Sequence, residues 1–274
     1  MKPTLAGYAR ASTIDEATAW LAAAEGDAKV IAGGQSLMAA MNMGLAGDTL
    51  LIDINGIEAL KGIRIEGDRL VIGALTRHAE LGRDALIAEH APLLHRAVPL
   101  IAHEAIRTRG TIGGSLSHAD PAAELPACVL ALDGRIRIAG PQGQREIAAD
   151  DFFQDVYVTD LSHDEIVTAI SLPLAGPDEA HDIRELSRRA GDFALAGLAF
   201  VRRDATHRVA FFGTGPRPML AHGVMAALDD SDTAAALNAL PRDIAPQSDA
   251  HASAAYRGHL AKVLLRRCLE DQAQ

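Results

Sequence analysis

The chain has 274 residues, 49% of them hydrophobic, with 26 Lys and Arg against 36 Asp and Glu and a formal net charge of −10. Such an acidic balance argues against nucleic acid as a partner, because neutralising phosphates takes a basic surface. Two cysteines, Cys128 and Cys268, argue against a disulfide framework, an iron–sulfur cluster or a cysteine-rich zinc site on this chain alone, and they fit a reducing cytosol.

At the start, Lys2 is followed by Pro3, Gly7 and Tyr8 rather than an apolar run, so no signal peptide is expected. Thr13 and Glu16 form a capping-box pattern; Ala17, Leu21 and Ala24 then share one helical face, and Gly26 can end the helix. Lys29 to Ala32 reads as a short buried strand running into Gly33-Gly34. Leu50 to Ile54 reads as another strand, giving a small parallel α/β unit. Ile63 to Ile65 and Leu70 to Ile72 alternate around Gly67-Asp68, a hairpin signal. Pro92 to Arg107 has helical periodicity that Pro99 should kink or divide. A second glycine pair, Gly113-Gly114, follows as a loop. Glu124 to Leu132 reads as a helix, Arg135 to Ile138 with Arg145 to Ile147 as a hairpin, and Ile166 to Leu172 as a strand ending at Pro173.

Ala175-Gly176-Pro177-Asp178 reads as a linker, dividing the chain into residues 1–175 and 176–274. Beyond it, Ile183 to Arg189, Leu198 to Arg203 and Arg208 to Phe212 are expected as three antiparallel strands. Helices are expected near Ala221 to Leu228 and Thr233 to Leu240. A last helix carries an apolar stripe of Tyr256, Leu260, Val263 and Leu264, with Arg257 off that stripe. The longest apolar stretch, around Phe193 to Val201, is too short to span a bilayer.

The two glycine pairs share a setting. Ala32-Gly33-Gly34-Gln35-Ser36-Leu37 and Thr111-Ile112-Gly113-Gly114-Ser115-Leu116 each place an apolar residue before the pair and a serine after it. Without Cβ atoms, successive amides can turn towards one spot and form a nest for an anion. A lone Gly-Gly is more often a turn; two such settings point to the two sides of a diphosphate. No G-x-G-x-x-G or G-x-x-x-x-G-K-[S/T] occurs, so neither an ordinary dinucleotide fold nor a P-loop is expected.

With the run from Thr111 to Pro126, the stretch Leu51-Ile52-Asp53-Ile54 and the stretch Arg188 to Ala194, these loops resemble the FAD-binding medium subunit of molybdenum hydroxylases, the CO dehydrogenase and xanthine dehydrogenase family. The resemblance covers essentially the whole chain. It implies an α+β protein: a PCMH-type, vanillyl-alcohol-oxidase-like FAD-binding domain of two α/β subdomains, then a C-terminal domain with a three-stranded antiparallel sheet and helices. It places Ala32, Gly33, Gly34, Gln35, Ser36 and Leu37 on one side of the FAD diphosphate, with Thr111, Ile112, Gly113, Gly114 and Ser115 on the other. Asp120 matches a position bonded to the ribityl or ring end, its alternative being a helix N-cap before Pro121. Leu161 and Phe193 match positions near the isoalloxazine ring, the alternative for Phe193 being a plain core aromatic. Asp192 and Arg189 either fix that loop or form an ordinary ion pair. Relatives often carry basic residues where this chain has Asn42 and Gly44, a departure that removes charge but leaves the backbone nest.

The resemblance also implies partners: a large subunit with the molybdenum cofactor and a small subunit with two [2Fe–2S] clusters, assembled as a dimer of heterotrimers in the cytoplasm. This chain would carry electrons from the clusters to an external acceptor, with no residue acting as acid, base or nucleophile in the hydroxylation. A scaffold subunit without flavin and a stand-alone FAD oxidase are the alternatives. Ser117, His118 and Asp120 lack the setting of a hydrolase triad. His103-Glu104 starts a zinc-protease pattern that Arg107 breaks.

Overall fold

A computed structural model describes residues 5–272; Lys2 and Pro3, weighed above for a leader, lie outside the described residues. Strands are numbered in chain order. β1 (Leu5–Arg10), β2 (Ala28–Ile31) and β3 (Thr49–Asp53) form a parallel sheet in the order β1-β3-β2. β1 carries no apolar signal because none of its residues is buried. The Ile14–Ala23 helix crosses between β1 and β2. Its N-cap Thr13 accepts from the Glu16 amide at 3.1 Å, while the Glu16 carboxylate reaches back to the Ser12 amide at 2.7 Å, one residue before the cap.

β4 (Ile63–Glu66) and β5 (Arg69–Gly73) make the hairpin read at Gly67-Asp68. β6 (Arg135–Gly140) and β7 (Gly143–Ala148) make the second hairpin. A ribbon of β8 (Phe153–Asp155) and β9 (Val158–Thr159) follows. β10 (Ile166–Pro173) then inserts between the hairpins, giving an antiparallel sheet ordered β4-β5-β10-β6-β7. The stretch from Pro92 to Arg107 is divided at Pro99: a helix over Pro92–Ala97, a 3-10 turn over Val98–Leu100 and a further turn of helix over Glu104–Arg107.

The segment 174–179 has no strand or helix. After it come β11 (Ala180–Ser187), β12 (Ala194–Arg203) and β13 (Thr206–Phe212). The expected three-stranded sheet has a fourth member, β14 (Met219–Leu220), two residues long and too short to read between the prolines and the next helix. This sheet is covered on both faces. Leu198, Phe200, Val209 and Phe211 pack with the helices His222–Asp229, Thr233–Asp243 and Ala254–Gln272. Ala199, Val201, Ala210 and Phe212 face the Glu124–Ala131 helix and share one apolar cluster with it and with β10. That period-two alternation welds the two parts of the chain into a continuous core.

The last helix corrects the expected stripe. Arg257 is buried, while Tyr256 is half exposed. The Arg257 guanidinium donates to the carbonyls of Leu195 (2.7 Å) and Gly213 (3.0 Å) and pairs with Asp249 (2.7 Å). Its side chain satisfies strand-end carbonyls, which periodicity cannot foresee.

Candidate functional site

β2 runs into the first glycine segment, which leads directly into the Leu37–Asn42 helix. Gly34 has φ +70°, a left-handed backbone that turns the chain from strand to helix. The amides of Gly33, Gly34, Gln35 and Ser36 take no hydrogen-bond partner among the described residues. Ser36 is the N-cap, and its hydroxyl makes no capping bond. The segment therefore presents four successive free N–H donors and a free hydroxyl at a helix start, a preformed anion-binding surface.

The second glycine pair is not a loop. Thr111 caps a helix over Ile112–His118, so Gly113 and Gly114 lie in its first turn. Its amides are already engaged. Ile112 donates to the Thr76 carbonyl (3.0 Å), Gly113 to Ala74 (2.9 Å), Gly114 to the Thr111 hydroxyl oxygen (3.1 Å) and Ser115 to the Thr111 carbonyl (3.0 Å). Gly113 is glycine because a Cβ there would lie 2.6 Å from Ala74 Cβ. Close packing of this helix on the end of β5 explains the residue, and the side chains of Thr111, Ser115 and Ser117 are what it offers a ligand.

Both segments face one cleft of ≈ 540 Å³. Ala32, Gly33, Gly34, Gln35, Ser36, Leu37, Thr111, Gly113, Gly114, Ser115, Asp120, Leu161 and Phe193 all line it. Ile112 does not: it is fully buried in the core beneath. At Gly33 an added Cβ would sit 2.3 Å from the Arg109 carbonyl oxygen, so the two segments touch through bare backbone. Lys29 is the only Lys or Arg lining the cleft among the described residues.

At the far end, one oxygen of Asp120 accepts from the Ala122 amide (2.9 Å) and the other from the Tyr157 hydroxyl (3.1 Å). Asp120 is therefore not the N-cap of the following helix; Ala123 is. The Tyr157 ring lies 4.9 Å from that of His118. Burial, then the Asp120 charge, pushes the Tyr157 hydroxyl up to about 12, so it is a donor at neutral pH. Glu124, buried in the same wall, is pushed up to about 7 by its burial. Phe193 is 63% exposed at the mouth. Its neighbour Asp192 pairs with Arg188 (3.8 Å), not Arg189.

Tyr157, Glu124 and His78 also line the cleft and were not read as site residues. Tyr157 comes from the β8–β9 ribbon and gives no local signal. Glu124 stands four residues after Asp120, and that short spacing is the sequence signal for its place in the same wall.

A concave surface with free amides at one end and aromatic and aliphatic side chains at the other suits a nucleotide joined to a planar ring. Residues 4–175 match the family described as the FAD binding domain in molybdopterin dehydrogenase, and residues 181–272 match the CO dehydrogenase flavoprotein C-terminal domain. The chain belongs to this family of FAD-binding medium subunits of molybdenum hydroxylases. It is 36% identical to the nicotine 6-hydroxylase medium subunit of Paenarthrobacter nicotinovorans, over 99% of this chain and 98% of that protein. It is 33% identical to the carbon monoxide dehydrogenase medium chain of Hydrogenophaga pseudoflava, over 98% and 97%. Solved structures agree. A chain of the Hydrogenophaga pseudoflava carbon monoxide dehydrogenase superposes with a TM-score of 0.95 at 34% identity, covering 98% of each chain. A chain of quinoline 2-oxidoreductase from Pseudomonas putida 86 gives 0.91 at 31%, covering 99% of this chain and 98% of that one.

Proposed function

We propose that Ala32, Gly33, Gly34, Gln35, Ser36 and Leu37 hold the FAD diphosphate through the free amides and the Ser36 hydroxyl. Thr111 and Ser115 supply hydroxyls from the opposite wall, while Ile112, Gly113 and Gly114 shape the helix turn that carries them. Asp120, kept in place by the Ala122 amide and Tyr157, orients the ribityl or ring end. Leu161 and Phe193 flank the ring and limit its contact with water. The observation that carries this reading is the run of four unpartnered amides facing two hydroxyls across one cleft. FAD supplies a group able to take up electrons singly or in pairs. This chain's residues bind and orient it; none of them is asked to act as an acid or nucleophile.

Residues 1–175 form the nucleotide-binding domain and 176–274 the C-terminal domain. The partners are a large subunit with the molybdenum cofactor and a small subunit with two [2Fe–2S] clusters, in a cytoplasmic dimer of heterotrimers. No helix among the described residues is long and apolar enough to cross a membrane.

The purified full chain should be yellow, release FAD on heating and regain flavin absorption on reconstitution. A Gly34→Val variant, strained at a left-handed position and crowding the amides, should bind FAD at least about tenfold more weakly. A colourless chain that gains no flavin points to a scaffold subunit. Rapid bleaching of the isolated chain by a substrate points to an oxidase.

A further inference from the structure

The two glycine segments are joined by side chains as well as by contact. Asn55, just past β3, donates through Nδ2 to the carbonyl of Ala32 at 2.8 Å and to Asp53 Oδ1 at 2.7 Å. Its Oδ1 accepts from Nη2 of Arg77 at 2.7 Å. The other arm of that guanidinium, Nη1, donates to the carbonyl of Arg109, the oxygen on which Gly33 rests. Asp53 is itself fixed by the Tyr8 hydroxyl at 2.5 Å and by the Asn55 amide at 2.8 Å. An unbroken chain of hydrogen bonds thus runs from the residue opening the first segment to the residue two before the Thr111 cap.

Arg77 spends both arms on neutral oxygens and forms no ion pair among the described residues. The Glu80 carboxylate, which accepts from Arg77's own backbone amide at 2.6 Å, and that of Asp53 act on the guanidinium without pairing with it, and neither Arg77 nor Asn55 lines the cleft.

We propose that Asn55 and Arg77 are positioning residues for the nucleotide: together they set the spacing of the two glycine segments. This rests on the flavin reading above and adds a device that reading does not contain. Neither side chain touches the ligand; both act through the carbonyls of Ala32 and Arg109.

The test is the FAD dissociation constant of the full chain, read by quenching of flavin fluorescence, for wild type, Arg77→Met, Asn55→Ala, the double variant and Arg77→Lys, each with its melting temperature. Arg77→Met and Asn55→Ala should each weaken binding about tenfold or more. The double variant should be little worse than the weaker-binding single variant, because one broken strap cannot be broken twice. Arg77→Lys keeps a donor that can reach one of the two acceptors but cannot bridge both, so it should recover part of the loss. If wild type binds FAD and the single variants bind equally well, the proposal is wrong. It is equally wrong if the two losses simply add, for then each residue acts alone. If Arg77→Met fails to fold, Asn55→Ala and Arg77→Lys decide by the same measure. A wild type that binds no FAD overturns the flavin reading instead.

Discussion

Burial of titratable residues in and beside the cleft wall fixes how stability responds to pH. Burial holds Glu124 protonated to about 7, and burial with the Glu124 charge holds Glu185 protonated to about 8, against an ordinary 4.5 for each. The folded chain binds more protons than the unfolded one across that window, so stability falls as pH rises through it. Burial acts oppositely on His78, lowering it from 6.5 to about 4, so stability is lost as pH falls through that range. The slopes separate above about pH 7, where the histidines that burial lowers, His78, His118 and His181, are mostly neutral in both states. The melting temperature of the nucleotide-free chain should decline from about pH 7 to 8, and Glu185→Gln should flatten most of that decline. Calorimetric profiles that ran parallel for the two proteins would show that the carboxyl is not held protonated. None of this is legible in sequence, because burial depends on what packs above. Glycine identity was legible, but its cause was split: Gly34 serves a backbone turn, while Gly33 and Gly113 serve close packing.

Elements whose signals are local were legible, such as the hairpin at Gly67-Asp68 and the helix after Thr13. The helix over Ile112–His118 was not, because two glycines lower helix propensity and mask the Thr111 cap. Packing on Ala74 overrides that propensity. Arg257 shows the reverse case: a charged residue expected off the apolar stripe is buried and joins the last helix to the ends of two strands. Leu195, one of its acceptors, lies two residues beyond Phe193. Arg257→Leu should leave two strand-end carbonyls unsatisfied and cost about 2–3 kcal/mol. Thermal melts should register it as a drop of several degrees, about 2–4 °C per kcal/mol at this chain length. An unchanged melting temperature would mean that water replaces the guanidinium there without loss.

For the whole molecule, the division at the linker is one of sequence pattern more than of packing. The same apolar cluster contains Leu130 and Ile170 from the first part and Ala199, Val201, Ala210 and Phe212 from the second. Cutting at the linker would bare that face. A chain ending at residue 175 should show exposed apolar surface by dye binding and a broader, lower melt than the full chain. A sharp, cooperative melt with no dye binding would show that the first part stands alone. Composition and turn chemistry announced two parts; only the alternation along β12, with both faces apolar, hinted that they share an interior.

Gly191, Asp192 and Phe193 belong to the second part yet form a side of the cleft whose floor belongs to the first. A guest lodged there touches both halves at once. Its escape and their parting become two legs of one thermodynamic cycle, so whatever fastens the halves must also tighten the hold on the guest, and a seated guest must in turn hold the halves together.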